Sequence, residues 1–282
     1  MKTIAITGAS GFVGTSLTKY FSKLQYKIIA ISRDILNNQQ KLEETLSQSD
    51  IVINLAGANI INRWSEDYKK LLYSSRINTT SKIVNAINHI ENKPKLLIST
   101  SAVGIYDNKA THDENGSFSN DFLSTLCQDW EKEASKANNE ITKVAIFRFG
   151  IVLGRDGGAF AKMITPFKFG LGGIIGSGNQ AFSYIHISDL LRAYEFVINN
   201  EFSGVFNLTA PKPTTNLLFT RALGKALGRP TIFPVPEFIL KLIFSEGAKV
   251  LTDGQDVIPK KLLSLGFKFE YKNIEETLRS LV

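Results

Sequence analysis

A single cysteine, Cys127, serves all 282 residues, so no internal disulfide can form and no cluster of thiolates can hold a metal. Histidine is almost as scarce: His89, His112 and His186 lie far apart in sequence, and no ligand spacing for a metal site emerges. No apolar run approaches the length of a membrane span. The N-terminus passes straight into a short apolar strand pattern without the cationic, apolar and small-residue order of a secretion signal, so a cytoplasmic protein with no membrane partner is expected. A basic helix or an aromatic-basic block is also missing. The net charge of +7 comes from Lys and Arg scattered among acidic residues, which argues for a cationic groove on an ordinary solvated surface and against a nucleic-acid partner. There is no Gly-x-Ser-x-Gly elbow, which leaves hydrolase chemistry without support. Internal repeats and low-complexity segments are absent as well.

What is present is enough apolar material, 43% of residues, to fill a substantial core, and one informative stretch near the start. Thr7-Gly8-Ala9-Ser10-Gly11-Phe12-Val13-Gly14 follows the apolar run Thr3 to Ile6 and leads into an amphipathic segment, which reads as strand, glycine turn, helix. A dinucleotide pyrophosphate must be met by backbone N–H groups and the positive end of a helix dipole without bulky side chains. Gly8 then serves the turn, Gly11 the approach of backbone to phosphate, and Gly14 the packing of helix on strand. The next strand pattern, Lys27 to Ser32, ends where the adenosine ribose should lie. There Ser32 and Arg33 offer a hydroxyl and a guanidinium that suit a 2′-phosphate, so NADP is favoured over NAD, with Asp34 as the competing ribose ligand if the strand ends later.

Strand and helix signals keep alternating. Asp50 to Gly57 is a buried strand whose closing residues, Leu55, Ala56 and Gly57, leave room for a cofactor. Ser65 caps a long helix that should stop before Pro94, and Lys95 to Ser101 is a further strand with Ser99, Thr100 and Ser101 at its ligand-facing end. Ser119-Asn120-Asp121 opens an amphipathic helix, and Lys143 to Gly150 is another buried strand. Residues 155–180 are rich in glycine and read as loops contributing to a substrate side. The fold class is therefore α/β: a Rossmann-type doubly wound parallel sheet over 1–200, with a smaller C-terminal substrate lobe over 201–282.

With these motifs in place the chain resembles an extended short-chain dehydrogenase/reductase, and more closely the epimerase-like YfcH-type family with its own C-terminal domain. The resemblance runs over essentially the whole chain. It rests on Thr7-Gly8-x-x-Gly11-x-x-Gly14, Asn54 to Ile60, Ser101 to Tyr106, Leu126-Cys127-x-x-Trp130-Glu131, Gly150 to Gly154, Ile185-His186-Ile187-x-Asp189 and Gly204 to Pro211. It implies NADP binding and an oxidoreductase or nucleotide-sugar epimerase-like activity on a small-molecule carbonyl or nucleotide-sugar-like substrate, with a homodimer as the assembly to look for.

In that superfamily a Tyr and a Lys four residues apart share one helix face, where the Lys can lower the Tyr pKa and hold the nicotinamide ribose. By resemblance Ser101 matches the accompanying Ser and Asn78 the accompanying Asn, but the helix positions carry Cys127 and Glu131. A carboxylate disfavours a thiolate and cannot stabilise an ionised phenol, so this pair is no substitute. Glu131 is left to accept a bond from a ribose hydroxyl or to serve structure, and Ser101 to donate to a carbonyl or to cap its strand. Tyr106, the remaining phenol near the crevice, is either a proton donor or packing, and His186 and Asp189 read as anchors of a helix N-terminus. The missing pair also motivates a rival reading, a non-catalytic NADP(H)-binding sensor or scaffold.

Overall fold

The first strand, β1 (Thr3–Thr7), is buried at every position, which fits a central parallel strand covered on both faces. The computed structural model describes residues 1–282. From β1 the chain runs through α1 (Phe12–Lys23), β2 (Lys27–Ile31), α2 (Arg33–Asn37), α3 (Gln39–Ser47), β3 (Ile51–Asn54), α4 (Glu66–His89), β4 (Leu96–Ala102), β5 (Thr111–His112) and α5 (Phe122–Ser135). It continues with β6 (Lys143–Phe149), β7 (Ile151–Leu153), α6 (Gly158–Lys168), β8 (Tyr184–His186), α7 (Ile187–Asn199), β9 (Gly204–Leu208) and α8 (Asn216–Leu227). Last come α9 (Glu237–Phe244), α10 (Lys249–Thr252), β10 (Asp256–Val257), α11 (Lys260–Ser264) and α12 (Ile274–Leu281). No helix is long and apolar enough to cross a membrane.

Six strands form one parallel sheet in the order β2-β1-β3-β4-β6-β9. The chain leaves β1 toward β2 and returns to its other side as β3, so a crevice opens outside the C-terminal ends of β1 and β3, where such sheets take their ligands. Alternation along β1 supplies both faces. Ile4 and Ile6 join Leu17, Phe21, Leu190 and Tyr194 beneath α1 and α7, whereas Ala5 joins Leu42, Leu46, Ile83, Val84 and Ile87 beneath α3 and α4. Each fully buried Leu, Ile or Phe of this kind contributes about 1.5–3 kcal/mol relative to exposure. The long α4 starts as its sequence requires: Ser65 Oγ accepts from the Tyr68 N–H at 3.1 Å, and Glu66 and Asp67 occupy the first turn.

Two features differ from the sequence expectation. Gly204–Leu208, read as the start of a smaller lobe at 201, pairs with β6 as the edge of the main sheet, and Phe206, Leu208, Leu262, Phe267 and Phe269 enter its core. The glycine-rich region is not loop throughout, because Phe160, Ile164 and Phe167 recur at helical spacing and bury one face of α6 against Phe182, Tyr184 and Phe219. Together with β7, β8, α8 and α12, α6 forms a second core above the C-terminal ends of the sheet strands.

Candidate functional site

The turn after β1 is built to be empty of side chains. Gly8 has φ +67°, a conformation that favours glycine, and a Cβ on Gly14 would lie 2.2 Å from the Gly8 carbonyl oxygen and 2.7 Å from Ala9 Cα. Gly11 stands at the N-cap of α1 with no side chain to satisfy the first-turn N–H groups, and no acidic residue occupies that turn. Ser10 and Gly11 are exposed, with Phe12 and Val13 half-buried behind them. The result is a set of free backbone donors at the positive end of a helix, the chemistry an oxyanion needs.

Thr7 has a different role from these neighbours. Its hydroxyl donates to Asn54 Oδ1 at 2.7 Å and accepts from the Leu55 N–H at 3.1 Å, tying the end of β1 to the end of β3. Asn54 Nδ2 in turn donates to Thr80 Oγ1 at 2.8 Å, and Trp130 Nε1 donates to the same oxygen at 2.9 Å. This buried chain fixes the crevice walls across two strands and two helices. Beyond β3, Leu55 and Ala56 are half-buried and Gly57 is exposed. At the end of β2, Ser32 caps α2 by accepting from the Ile35 N–H at 3.3 Å, and Arg33 is exposed. Asp34, the competing ribose ligand, is held by Lys41 at 2.9 Å.

At the end of β4 the parallel register sets Ser101 directly beside Arg148 of β6. Arg148 makes a two-pronged bridge to Glu131 on α5, Nε to Oε1 at 2.8 Å and Nη2 to Oε2 at 2.7 Å. Ser101 Oγ donates to the same Oε1 at 2.6 Å. Burial works against the Arg148 charge, but the bonds to Glu131 and that carboxylate's field outweigh it and hold the guanidinium firmly protonated. One turn earlier on α5, Cys127 is buried among Ile105, Tyr106 and Val257, and burial, with the Glu131 charge second, pushes its thiol up to about 11. Cys127 is therefore a neutral core thiol. Ser99 is buried on β4 with its hydroxyl unpartnered.

Of the residues expected at the reacting end, Asn78 sits differently from its expectation, and Tyr106 and Glu131 take the structural one of their two alternatives. Asn78 is exposed on α4, because two residues of helix turn it away from the inward row of Leu72, Arg76 and Thr80. Tyr106 is not at an open crevice but fully buried, stacked on His112 at 5.1 Å, donating to Asn207 Oδ1 at 2.8 Å and accepting from Arg148 Nη1 at 2.6 Å. Burial raises its pKa. Glu131, read either as a ribose-hydroxyl acceptor or as a structural carboxylate, has both oxygens engaged by Arg148 and Ser101. The sequence signal for Arg148 was a charge inside an otherwise apolar strand, and the one for Arg76 a charge on the buried row of a helix.

His186 and Asp189 brace the fold. His186 Nδ1 accepts from the Ser188 N–H at 3.0 Å at the start of α7, and the Asp189 carboxylate accepts from the backbone N–H groups of Glu270 and Tyr271 at 2.8 and 2.9 Å. At the start of α6 the Phe12 ring lies against three glycines, since a Cβ on Gly154, Gly157 or Gly158 would approach it to 2.5, 2.8 and 2.8 Å.

Residues 4–209 match the NAD dependent epimerase/dehydratase family, and residues 235–281 match a domain of unknown function, DUF1731. The chain is 38% identical to the chloroplastic homolog of epimerase family protein SDR39U1 from Arabidopsis thaliana, over 99% of this chain and 86% of the plant protein. It is 37% identical to epimerase family protein SDR39U1 of Mus musculus, over 99% of both chains. In three dimensions it is similar to human epimerase family protein SDR39U1 (isoform 2) crystallised with NADPH, with a TM-score of 0.93 and 33% identity over 99% of this chain and 98% of the human one. UDP-glucuronic acid 4-epimerase from Bacillus cereus shares the fold at a TM-score of 0.79 and 18% identity, over 98% of this chain and 96% of that one. A glycine cradle at the switch point of a parallel sheet, matched from end to end by these relatives, makes this chain a member of the NAD dependent epimerase/dehydratase family with a C-terminal DUF1731 domain.

Proposed function

We propose that this chain binds NADP(H) across the C-terminal ends of β1, β3 and β4 and acts as an oxidoreductase or epimerase-like enzyme on a small-molecule carbonyl or nucleotide-sugar-like substrate. The observation that carries the reading is the tight turn of Gly8, Gly11 and Gly14, where Gly8 takes a positive φ and Gly14 has no room for a Cβ, leading into a helix start with uncapped backbone donors. The NADPH held by the human SDR39U1 relative supports the choice of cofactor. In this reading the N–H groups of Ser10, Phe12 and Val13 meet the pyrophosphate, while the Gly11 N–H closes the turn on the Gly8 carbonyl at 3.0 Å, and Ser32 and Arg33 receive the 2′-phosphate. Leu55, Ala56 and Gly57 flank the cofactor beyond β3, while Ser99 and Ser101 face its reactive end. The cofactor, when bound, supplies the hydride donor or acceptor.

The chain's own contribution to the chemistry is a proton path. Ser101 points its O–H at Glu131, which leaves the Oγ lone pairs to accept from a substrate hydroxyl. As that hydroxyl donates to Oγ, Ser101 passes its own proton to Glu131 Oε1, and Arg148 keeps the carboxylate in line throughout. In the reducing direction the same two transfers run backwards and deliver a proton to a carbonyl oxygen.

One observation favours a second reading, a non-catalytic NADP(H)-binding sensor or scaffold: α5 presents a neutral buried thiol and an ion-paired carboxylate where relatives of this fold class carry a phenol and an ammonium. Calorimetric titration with NADPH, followed by NADPH oxidation and nicotinamide label exchange over a panel of carbonyl compounds and nucleotide sugars, decides between them. Binding with turnover that Ser101→Ala abolishes, at unchanged NADPH affinity, is the expected result. Tight binding with no turnover on any compound establishes the sensor, and no NADPH binding at all refutes both.

A further inference from the structure

Within the inward row of α4, Leu72, Thr80, Ile83, Val84 and Ile87 are buried, and Arg76 sits in the same row one turn from Leu72 and one from Thr80. Its guanidinium lies over the Trp130 indole at 5.3 Å, with Nη1 donating to the Leu72 carbonyl at 3.1 Å and Nη2 to the Ala58 carbonyl at 3.0 Å. Two of five N–H donors are thus used, both on neutral acceptors. The titratable groups facing it are the Cys127 thiol and the Tyr68 phenol, with no carboxylate among them, and burial lowers its affinity for its proton. Arg148, by contrast, has Glu131, Lys69 has Glu66 and Glu246, and Arg192 has Asp189 and Glu270; Lys261, far from the crevice strands β1 and β3, is the other cation left to a carbonyl and a ring, those of Ser203 and Phe206.

A desolvated guanidinium without a counter-charge is unfavourable, and this one is left so at a particular place. A Cβ on the exposed Gly57 would come within 3.0 Å of Arg76 Cζ, so the loop after β3 packs directly on the charge at a residue that is itself open to solvent. Trp130, under the guanidinium, adjoins Glu131 on α5, and Glu131 accepts from Ser101, so Arg76 and Ser101 meet consecutive residues of one helix. The phosphates of the cofactor belong elsewhere in the proposed pose, at β1 and β2. Arg76 meets the loop after β3, one strand spacing, about 5 Å, from β1 on the side away from β2.

We infer that Arg76 anchors an anionic group, a carboxylate or a phosphate, of the substrate that reacts beside Ser101. The inference rests on the NADP(H) reading for the identity of the neighbouring ligand. It narrows the substrate to molecules that carry an oxyanion in addition to the reacting carbonyl or hydroxyl. Arg76 is a specificity-determining residue in this account and takes no part in proton transfer.

The indole N–H resonance of Trp130, assigned with Trp130→Phe, provides a reporter under the guanidinium. Inorganic phosphate, acetate and neutral acetamide are titrated at constant ionic strength into the wild type, Arg76→Lys and Arg76→Met, with and without saturating NADPH. Phosphate or acetate should give a saturable shift that acetamide does not, and the tighter of the two names the anionic group. Arg76→Met should weaken that binding at least tenfold and Arg76→Lys less than fivefold, while the Kd for NADPH stays within twofold in all three proteins. Equal anion binding by wild type and Arg76→Met overturns the inference, as does a wild-type response no different from that to acetamide. A parallel loss of NADPH affinity in Arg76→Met assigns the charge to the cofactor's phosphates and overturns it too. Failure of the wild type to bind NADPH sinks the functional reading instead, and the cofactor-free titrations still test Arg76.

Discussion

The bridge between Arg148 and Glu131 yields the sharpest energetic prediction. Their side chains are 3% and 13% exposed, and the bridge ties β6 to α5 with two charge-assisted bonds, while Arg148 also donates to Tyr106 Oη and to the Glu114 carbonyl at 3.1 Å. Arg148→Met would keep an unbranched chain in the same space but leave the Glu131 carboxylate buried with only Ser101 for a partner. Stranding a buried charge costs about 3–5 kcal/mol, and that is the expected loss. Glu131→Gln preserves shape and one acceptor, so it should cost less, about 3 kcal/mol, by leaving the guanidinium without a counter-charge. Replacing both, as Arg148→Met with Glu131→Leu, removes the two desolvated charges together. What remains are an unpaired Ser101 hydroxyl and a weakened Tyr106 network, about 1–2 kcal/mol in all. The double variant is therefore more stable than Arg148→Met alone. Urea unfolding of wild type, Glu131→Gln, Arg148→Met, Glu131→Leu and the double variant, followed by circular dichroism, gives the cycle directly. Should the Glu131→Leu and Arg148→Met losses add to within about 0.5 kcal/mol in the double variant, the two groups are not coupled and the account of the site is wrong.

Two further outcomes are expected. Arg33→Ala should weaken NADPH binding by about 1.5–3 kcal/mol, the range of a hydrogen bond to a charged group, and leave NADH nearly unchanged in parallel calorimetric titrations; an equal loss for both cofactors refutes the 2′-phosphate assignment. His186 is buried at the start of α7, and burial lowers its pKa from 6.5 to about 4. The unfolded chain therefore binds a proton that the folded one refuses, and stability falls as pH drops from about 6.5 through about 4, by about 2 kcal/mol between pH 7 and 5. His186→Asn keeps a capping acceptor without the titration, so its urea midpoints should depend less steeply on pH by that amount, and an unchanged pH dependence would contradict the assignment.

The cofactor side of the fold is legible in the sequence because backbone sterics demand particular residues there. Gly8 needs its positive φ, Gly14 has no room for a Cβ, and Ser65 announces α4 by a cap whose partner is three residues away. The reacting side is not legible in the same way, because its partners meet only through the sheet. Ser101 and Glu131 are 30 residues apart, and Tyr106 and Asn207 are 101 apart, so nothing local in the chain pairs them. Asn78 and Arg76 differ by only two positions, yet the helix turns one to water and the other onto Trp130. The placement of β9 at the sheet edge is likewise a long-range outcome. Its apolar residues would serve either lobe, and the pairing with β6 decides between them.

The seat of Phe12 among Gly154, Gly157 and Gly158 carries a mechanical consequence. The first residue of α1 also packs on the start of α6, so the loop that would cradle phosphates and the helix that opens the second core share a single rigid ring as their joint. At Gly154, Gly157 and Gly158 a side chain would have to displace the ring. A displacement of the α1 N-terminus by a ligand is thus transmitted to the start of α6 by contact, through an aromatic lever only one residue long.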